Sequence, residues 1–191
     1  MPTDELAPLR SAGVADAPAA RATSARHARL RSMVEEHHET VWRFLRRLGL
    51  DESDTDDAIQ DVLIVAMRRL DDIEPRAERS FLCRTAYRVG CRMRAKRPTT
   101  SQDGLTDPRP HPDVLVDQKR ARDLLDEILV CMSDEHRAVF VLHDIERLTM
   151  AEIADVLELK SGTVASRLRR AREDFNKRVA RIEARMELCE V

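Results

Sequence analysis

Arginine and lysine are concentrated in two stretches of this chain, and these cations are its most evident means of binding a charged partner. Residues 84–97 contain six bases and no acid. Residues 160–185 contain nine bases and only three acids. Clustered cations of this density indicate a polyanionic partner such as nucleic acid. The alternative is a solvated helix surface without a partner.

An acidic stretch complements the two basic ones. Residues 51–61 contain six acids and no base, although the whole chain of 191 residues has a net charge of only −2. Acids at the start of a helix are stabilised by its positive N-terminal end. We therefore expect one acidic and two basic helices at the surface of a nearly neutral protein.

Metal and enzyme chemistry have little support. The four adjacent residues Glu35, Glu36, His37 and His38 would point to different faces of a helix, and no third ligand is positioned beside them. The four cysteines form no CxxC pair. The sequence thus predicts no metal, no cofactor and no enzyme activity. Because no unbroken apolar run occurs near the N-terminus, we also expect no membrane insertion and a cytoplasmic location.

The elements that position these charges are predicted to be helices. Charged residues make up 36% of the chain and aromatic residues 3%, which favours an all-α fold with a modest aliphatic core. The stretch "PTTSQDGLTDPRPHPD" lacks helical periodicity and predicts a proline-rich linker. We expect two small helical domains, with these limits: a disordered tail at 1–26, a first domain at 27–97, the linker at 98–117 and a second domain at 118–185.

The second half shows the pattern of a four-helix domain with a helix-turn-helix. Ser133 is predicted to cap one helix, and Thr149 with Glu152 to form a capping box for the next. A basic helix then begins at Ser161. Two short helices joined by a tight turn, the second basic, are typical of DNA-binding proteins.

The basic helix divides into an inner and an outer side. At about 100° per residue, Val164, Leu168 and Ala171 share one side and are expected to anchor the helix in a core. The other side carries small polar residues and arginines, which suit close approach to a groove and bonding to guanine. The residues predicted to contact DNA are Ser161, Gly162, Thr163, Ser166, Arg167, Arg169 and Arg170. We expect Arg167, nearer the core side, either to brace the helix or to reach the DNA backbone.

Three stretches in order carry a family resemblance: "DDAIQDVLIVAMRRLDDI", "FLCRTAYRVGCRMRAKR" and "LTMAEIADVLELKSGTVASRLRRAR". They are similar, in this order, to the polymerase-binding helix, the promoter-melting helix and the second DNA-binding domain of one family. These stretches thus resemble bacterial RNA polymerase sigma factors of the extracytoplasmic-function (ECF) group of the sigma-70 family. The resemblance covers about residues 34–179 and implies two domains without the longer central domain.

The resemblance implies a role for each helix in starting transcription. The acidic helix would bind core RNA polymerase, through Asp57, Gln60, Asp61 and Arg68. The next helix would hold the minus-ten element of promoter DNA, through Phe81, Arg84, Arg88 and Arg92. The loop at 71–78 would help to capture an everted base. The helix-turn-helix residues named above would read the minus-thirty-five element, and an anti-sigma factor is a further partner expected from the family alone.

The sequence departs from the family pattern at several positions. Met67 and Phe81 stand where tryptophan is common, and Arg88 and Arg92 replace a frequent asparagine and aspartate. Glu158 stands at the usual turn glycine. Because glutamate disfavours a left-handed backbone, we expect this turn to be tighter or shifted.

A different class of protein remains open on the residues alone. An ordinary helix-turn-helix regulator would use the first half as a sensing or dimerisation domain. Such a regulator would bind a palindromic site without polymerase, whereas a sigma factor would bind core polymerase and a two-part promoter.

Overall fold

A computed structural model describes residues 17–96 and 115–187, and all regular structure in these ranges is helical. The helices are α1 (Ala17–Arg47), α2 (Glu52–Arg69), α3 (Glu78–Lys96), α4 (Leu115–Val130), α5 (Asp134–Phe140), α6 (Met150–Leu157) and α7 (Ser161–Glu187). Two short 3₁₀ turns, Leu70–Asp72 and Pro75–Ala77, join α2 to α3, and a π-helical turn, Val141–Ile145, continues α5. The predicted all-α fold is confirmed.

The predicted ends of the first domain need one correction. Helix α1 begins at Ala17, so the disordered tail expected for residues 1–26 is wrong for residues 17–26. Helix α4 begins at Leu115, inside the segment predicted as linker. The rest of the predicted tail, Arg97 at the predicted end of the first domain, and residues 98–114 of the predicted linker lie outside the described residues.

The first three helices pack around an aliphatic core. Phe44 and Leu45 of α1, Val62 of α2 and Leu82 of α3 are each at most 2% exposed. Asp51 begins α2 as its N-cap, because its carboxylate accepts a hydrogen bond of 2.8 Å from the backbone N–H of Asp54. Gly49 ends the turn after α1 with a φ of +97°, a conformation that glycine adopts without strain.

The second half forms the predicted four-helix unit. Leu129 of α4, Val139 of α5, Ile153 of α6 and Val164 of α7 are fully buried together. Ser133 occupies the N-cap position of α5, but its hydroxyl makes no capping hydrogen bond, so the cap predicted there is present only in backbone conformation.

The two units also pack against each other. Helix α3 of the first contacts α6 of the second, and the buried side chains of both form one continuous apolar cluster. This packing brings the helix-turn-helix close to the basic helix α3, although the two are far apart in the sequence.

Candidate polymerase and nucleic-acid interfaces

The helix-turn-helix consists of α6, a turn at Glu158 and α7. Thr149 and Glu152 form the predicted capping box, in which the Glu152 carboxylate accepts a hydrogen bond of 2.7 Å from the Thr149 N–H. This backbone hydrogen bond lowers the pKa of Glu152. Glu158 adopts a left-handed backbone with φ 56° and ψ 44°. The expectation of a tighter or shifted turn is therefore wrong: the turn keeps the geometry suited to glycine and places a glutamate in it.

The predicted division of α7 into two sides is present in the structure. Val164 and Ala171 are fully buried and Leu168 is 6% exposed, whereas the other side of the helix faces outward. Ser161, Gly162, Ser166, Arg169 and Arg170 are exposed, and Thr163 is half-buried. A Cβ atom at Gly162 would meet nothing within 4 Å, so packing inside the protein does not require glycine there.

Two arginines of α7 bond to other elements of the protein. Arg167 forms an ion pair with Glu135 of α5 at 3.0 Å, and its side chain is only 25% exposed. This pair connects α7 to α5, as a bracing role for Arg167 would require. Arg172 donates a hydrogen bond of 2.9 Å to Asp144 in the π-helical turn, and this bond lowers the pKa of Asp144. Sequence reasoning missed the second pair because its residues lie 28 positions apart.

The four residues predicted for the minus-ten element line one groove between α2 and α3. The groove has a volume of about 400 Å³ and includes Phe81, Arg84, Arg88 and Arg92. Phe81 is only 8% exposed, and the Arg84 guanidinium lies 5.9 Å from the centre of its ring. Arg69 at the end of α2 also lines the groove and was not predicted. The position of Arg69 in the groove follows from the fold, because the C-terminal end of α2 meets the start of α3.

Two of these arginines bond within the protein in this structure. Arg92 forms an ion pair of 2.6 Å with Asp61 of α2, and Arg88 bonds to Glu158 in the helix-turn-helix. All four side chains are about half exposed or more. Solvent-exposed pairs of this kind contribute at most about 1 kcal/mol, so a polyanion can replace the acidic partners.

The outer face of α2 is a stripe of polar residues with two large apolar ones in it. Asp57, Gln60 and Arg68 are exposed and Asp61 is half-buried. Among the described residues, Ile64 and Met67 are the large apolar side chains that are exposed, by 42% and 47%. Their spacing places all six within about 120° of the helix circumference. We call these six residues the α2 stripe. Sequence reasoning named its polar members and missed Ile64, although the helical period places Ile64 opposite the core residues Ile59, Val62 and Ala66.

A buried carboxylate joins the two units. Glu146 is 2% exposed and lies 3.4 Å from both Arg43 and Arg47 of α1 and 4.0 Å from Arg79 of α3. The Arg79 guanidinium also donates to the backbone carbonyl of Glu146. The carboxylate of one acid in the second unit therefore faces three basic side chains of the first unit.

The residues considered for a metal site remain dispersed. Glu35, Glu36 and His38 are exposed on α1, and His37 is half-buried. Across 17–96 and 115–187 no three histidine, cysteine or acidic side chains form a group that could hold a metal ion. None of the helices described is long and apolar enough to cross a membrane.

Fold and surface together define a two-domain, all-helical DNA-binding protein with a helix-turn-helix. Two family models match the chain: sigma-70 region 2 over residues 33–97, and sigma-70 region 4 over residues 122–175. The chain therefore belongs to the sigma-70 family, in its extracytoplasmic-function (ECF) group of sigma factors, which initiate transcription with RNA polymerase. This family has no enzyme activity of its own.

Individual relatives support the same assignment. The chain is 32% identical to the ECF sigma factor SigL of Mycobacterium tuberculosis over 155 residues, 77% of this chain and 86% of SigL. It is 28% identical to SigE of Mycolicibacterium smegmatis over 156 residues, 78% of this chain but only 61% of the length of SigE. Among solved structures, CnrH in complex with the cytosolic domain of CnrY matches with a TM-score of 0.63 and 26% identity, covering 87% of this chain and 95% of CnrH.

Proposed function

We propose that the α2 stripe is the surface through which this sigma factor binds core RNA polymerase. The observation that carries this proposal is the exposure of Ile64 and Met67, 42% and 47%, in the middle of a polar helix face. Large apolar side chains surrounded by polar ones are typical of protein–protein contacts. The acids at positions 57 and 61 would complement a basic surface on the polymerase.

We further propose that the groove between α2 and α3 holds the minus-ten element. Four arginines line it, and Phe81 and Val89 supply an apolar floor. A basic groove with an aromatic side chain suits the backbone and bases of a single strand. Since Arg88 and Arg92 are paired with Glu158 and Asp61 here, DNA binding would exchange these acids for phosphates.

The outer side of α7 is proposed to read the minus-thirty-five element. Support comes from the exposure of Ser166, Arg169 and Arg170 and from the open space around Gly162. A glycine that internal packing does not require allows the backbone to approach another surface closely. Arg167, held by Glu135, would contribute through the position of α7 and the nearby phosphates.

Affinity for purified core polymerase tests the assignment of the α2 stripe. Met67→Glu introduces a charge at the apolar centre of the stripe, so affinity for core polymerase should fall at least about tenfold. Ser32→Glu adds the same charge at an exposed position of α1 and serves as the matched control. Both variants should retain the parent's helical circular-dichroism spectrum. Equal core affinity for the parent and both variants would contradict the proposed surface.

The family match excludes the ordinary helix-turn-helix regulator that the residues alone left open. We expect the parent chain to support transcription from a two-part promoter only together with core polymerase. An anti-sigma partner remains a proposal, for which the structure of CnrH with the cytosolic domain of CnrY is the available parallel.

A further inference from the structure

The connection between α2 and α3 has little internal support. It consists of the two 3₁₀ turns, and only Leu70 and Ile73 of residues 70–77 are buried. The remaining six residues are exposed. Two apolar anchors hold the connection to the core, but they do not set the path of the exposed residues between and after them.

One guanidinium, that of Arg29 on α1, joins three points along this connection. It donates a hydrogen bond of 3.0 Å to the Leu70 carbonyl at the end of α2, and another to the Ile73 carbonyl in the middle. Its Nε and Nη2 also donate to Glu78 Oε1, at 3.0 and 2.9 Å, where α3 begins. Because the five N–H groups of arginine form a planar fork, one side chain can hold all three acceptors at fixed relative positions.

The surroundings of Arg29 strengthen these bonds. The Arg29 side chain is 33% exposed and that of Glu78 is 12% exposed, so solvent screens this pair less than an ordinary surface pair. By contrast, Arg26, one turn earlier, bonds to the Met67 carbonyl and lies 3.4 Å from an Asp71 that is 77% exposed. Arg26 is therefore the weaker support and a natural control.

The connection leads directly from one wall of the groove to the other. Arg69, immediately before it, and Phe81, shortly after it, both line the groove. A shift of residues 70–77 would therefore change the position of these two groove residues relative to each other. Binding sites must hold their groups within about 0.5 Å of the productive geometry, so such a shift would change what the groove accepts.

We infer that Arg29 is a positioning residue for minus-ten recognition: it fixes the α2–α3 connection and thereby the shape of the groove, without itself contacting DNA. This inference rests on the proposed function of the groove. Without the Arg29 guanidinium, the connection would sample several paths and the groove would accept more than one base sequence.

The experiment compares holoenzymes containing the parent chain, Arg29→Ala, Arg29→Lys and Arg26→Ala. Open-complex formation is measured on a promoter and on a panel with single-base changes in its minus-ten element. We expect Arg29→Ala to reduce discrimination among these promoters by about tenfold, while core affinity and discrimination at the minus-thirty-five element stay at the parent's values. Arg29→Lys, which keeps the charge but not the fork, should recover only part of the discrimination, and Arg26→Ala should match the parent.

The possible outcomes distinguish a positioning role of Arg29 from a general loss of stability, and both from a failure of the function proposed for the groove. Unchanged minus-ten discrimination in Arg29→Ala would overturn the inference, as would an equal loss on every promoter together with reduced core affinity. If Arg29→Ala does not fold, the test uses Arg29→Lys, which keeps a cation, and Glu78→Gln, which keeps an acceptor. These two variants must then lose minus-ten discrimination selectively, or the inference fails. A parent that does not discriminate among minus-ten elements would instead contradict the proposed function of the groove.

Discussion

Arg88 of the groove bonds to Glu158, the residue that closes the turn of the helix-turn-helix 70 positions further along the chain. One residue is proposed to contact the minus-ten element, and the other orients the helix proposed to read the minus-thirty-five element. At about 3.4 Å per base pair, elements some 25 base pairs apart are separated by roughly 85 Å. The two proposed roles together therefore require this contact to break on promoter DNA.

The backbone at Glu158 yields the first prediction. A φ of 56° costs a residue with a Cβ about 1 kcal/mol relative to glycine. We expect Glu158→Gly to raise the free energy of unfolding of the full chain by up to about 1 kcal/mol, measured by urea titration with circular dichroism. Glu158→Gln removes the charge but retains the strained backbone and is the control. If the glycine variant is no more stable than the glutamine variant, the turn carries no strain.

The two sides of α7 yield the second prediction. Leu168→Ala removes a core anchor that is 6% exposed and should cost about 2–5 kcal/mol of stability. Arg169→Ala, on a side chain 67% exposed, should leave stability nearly unchanged. If Arg169 contacts a base edge, its loss should weaken binding by about 1–3 kcal/mol and relax discrimination at one base pair of the minus-thirty-five element.

Binding to a panel of mutated minus-thirty-five elements checks this second prediction. An arginine that contacts only phosphate would instead weaken binding to every element alike and lower the salt dependence by about one unit. Binding by Arg169→Ala that equals the parent's on every element would show that Arg169 does not read the promoter.

Asp144 yields a prediction about pH. The hydrogen bond from Arg172 lowers the pKa of Asp144 in the folded protein, relative to about 3.9 in an unfolded chain. Between these two pKa values the unfolded state binds more protons, so the stabilisation by this pair is complete above about pH 5 and is lost as the pH falls through the folded pKa. Asp144→Asn should therefore be less stable than the parent at pH 7, and this difference should shrink in acid. Asp155→Asn, exposed on α6, is the control, and a difference independent of pH would exclude the carboxylate as its source.

Glu146 yields the fourth prediction. Removal of a buried acid that faces three bases takes one ion partner from each of them. Because Arg43 and Arg47 keep Glu39 and Asp126 as partners, we expect a cost below the about 3–5 kcal/mol of a fully buried, uncompensated charge. We expect Glu146→Ala to loosen the packing of the two units, seen as a larger radius of gyration in X-ray scattering. Glu39→Ala removes a different acid paired with Arg43, at 2.8 Å but 74% exposed, and should leave the radius unchanged. A Glu146→Ala protein as compact as the Glu39→Ala protein would show that Glu146 does not hold the units together.

Features that depend on neighbours within a few residues were predictable. The apolar period identified Val164, Leu168 and Ala171 as anchors, and all three are buried. The spacing of Thr149 and Glu152 identified a capping box whose two bonds are both present. The physical reason is that helical geometry and capping are determined by local spacing, which a sequence displays directly. The basic cluster at 84–97 likewise contains three of the four predicted groove residues, Arg84, Arg88 and Arg92.

Other features depend on contacts between distant parts of the chain. Arg29 reaches Glu78 across 49 residues, and Arg43 reaches Glu146 across 103. No local pattern assigns either arginine a partner, because any exposed base would look the same in the sequence. Glu158 also could not be predicted from local sequence, because its residue type disfavours the left-handed backbone that it adopts. The packing of α6 and α7 nonetheless requires that conformation, since tertiary contacts outweigh a local preference of about 1 kcal/mol. The local sequence thus determined the helices and their charged surfaces. Only the tertiary structure decided which residues pair with the buried and half-buried charges.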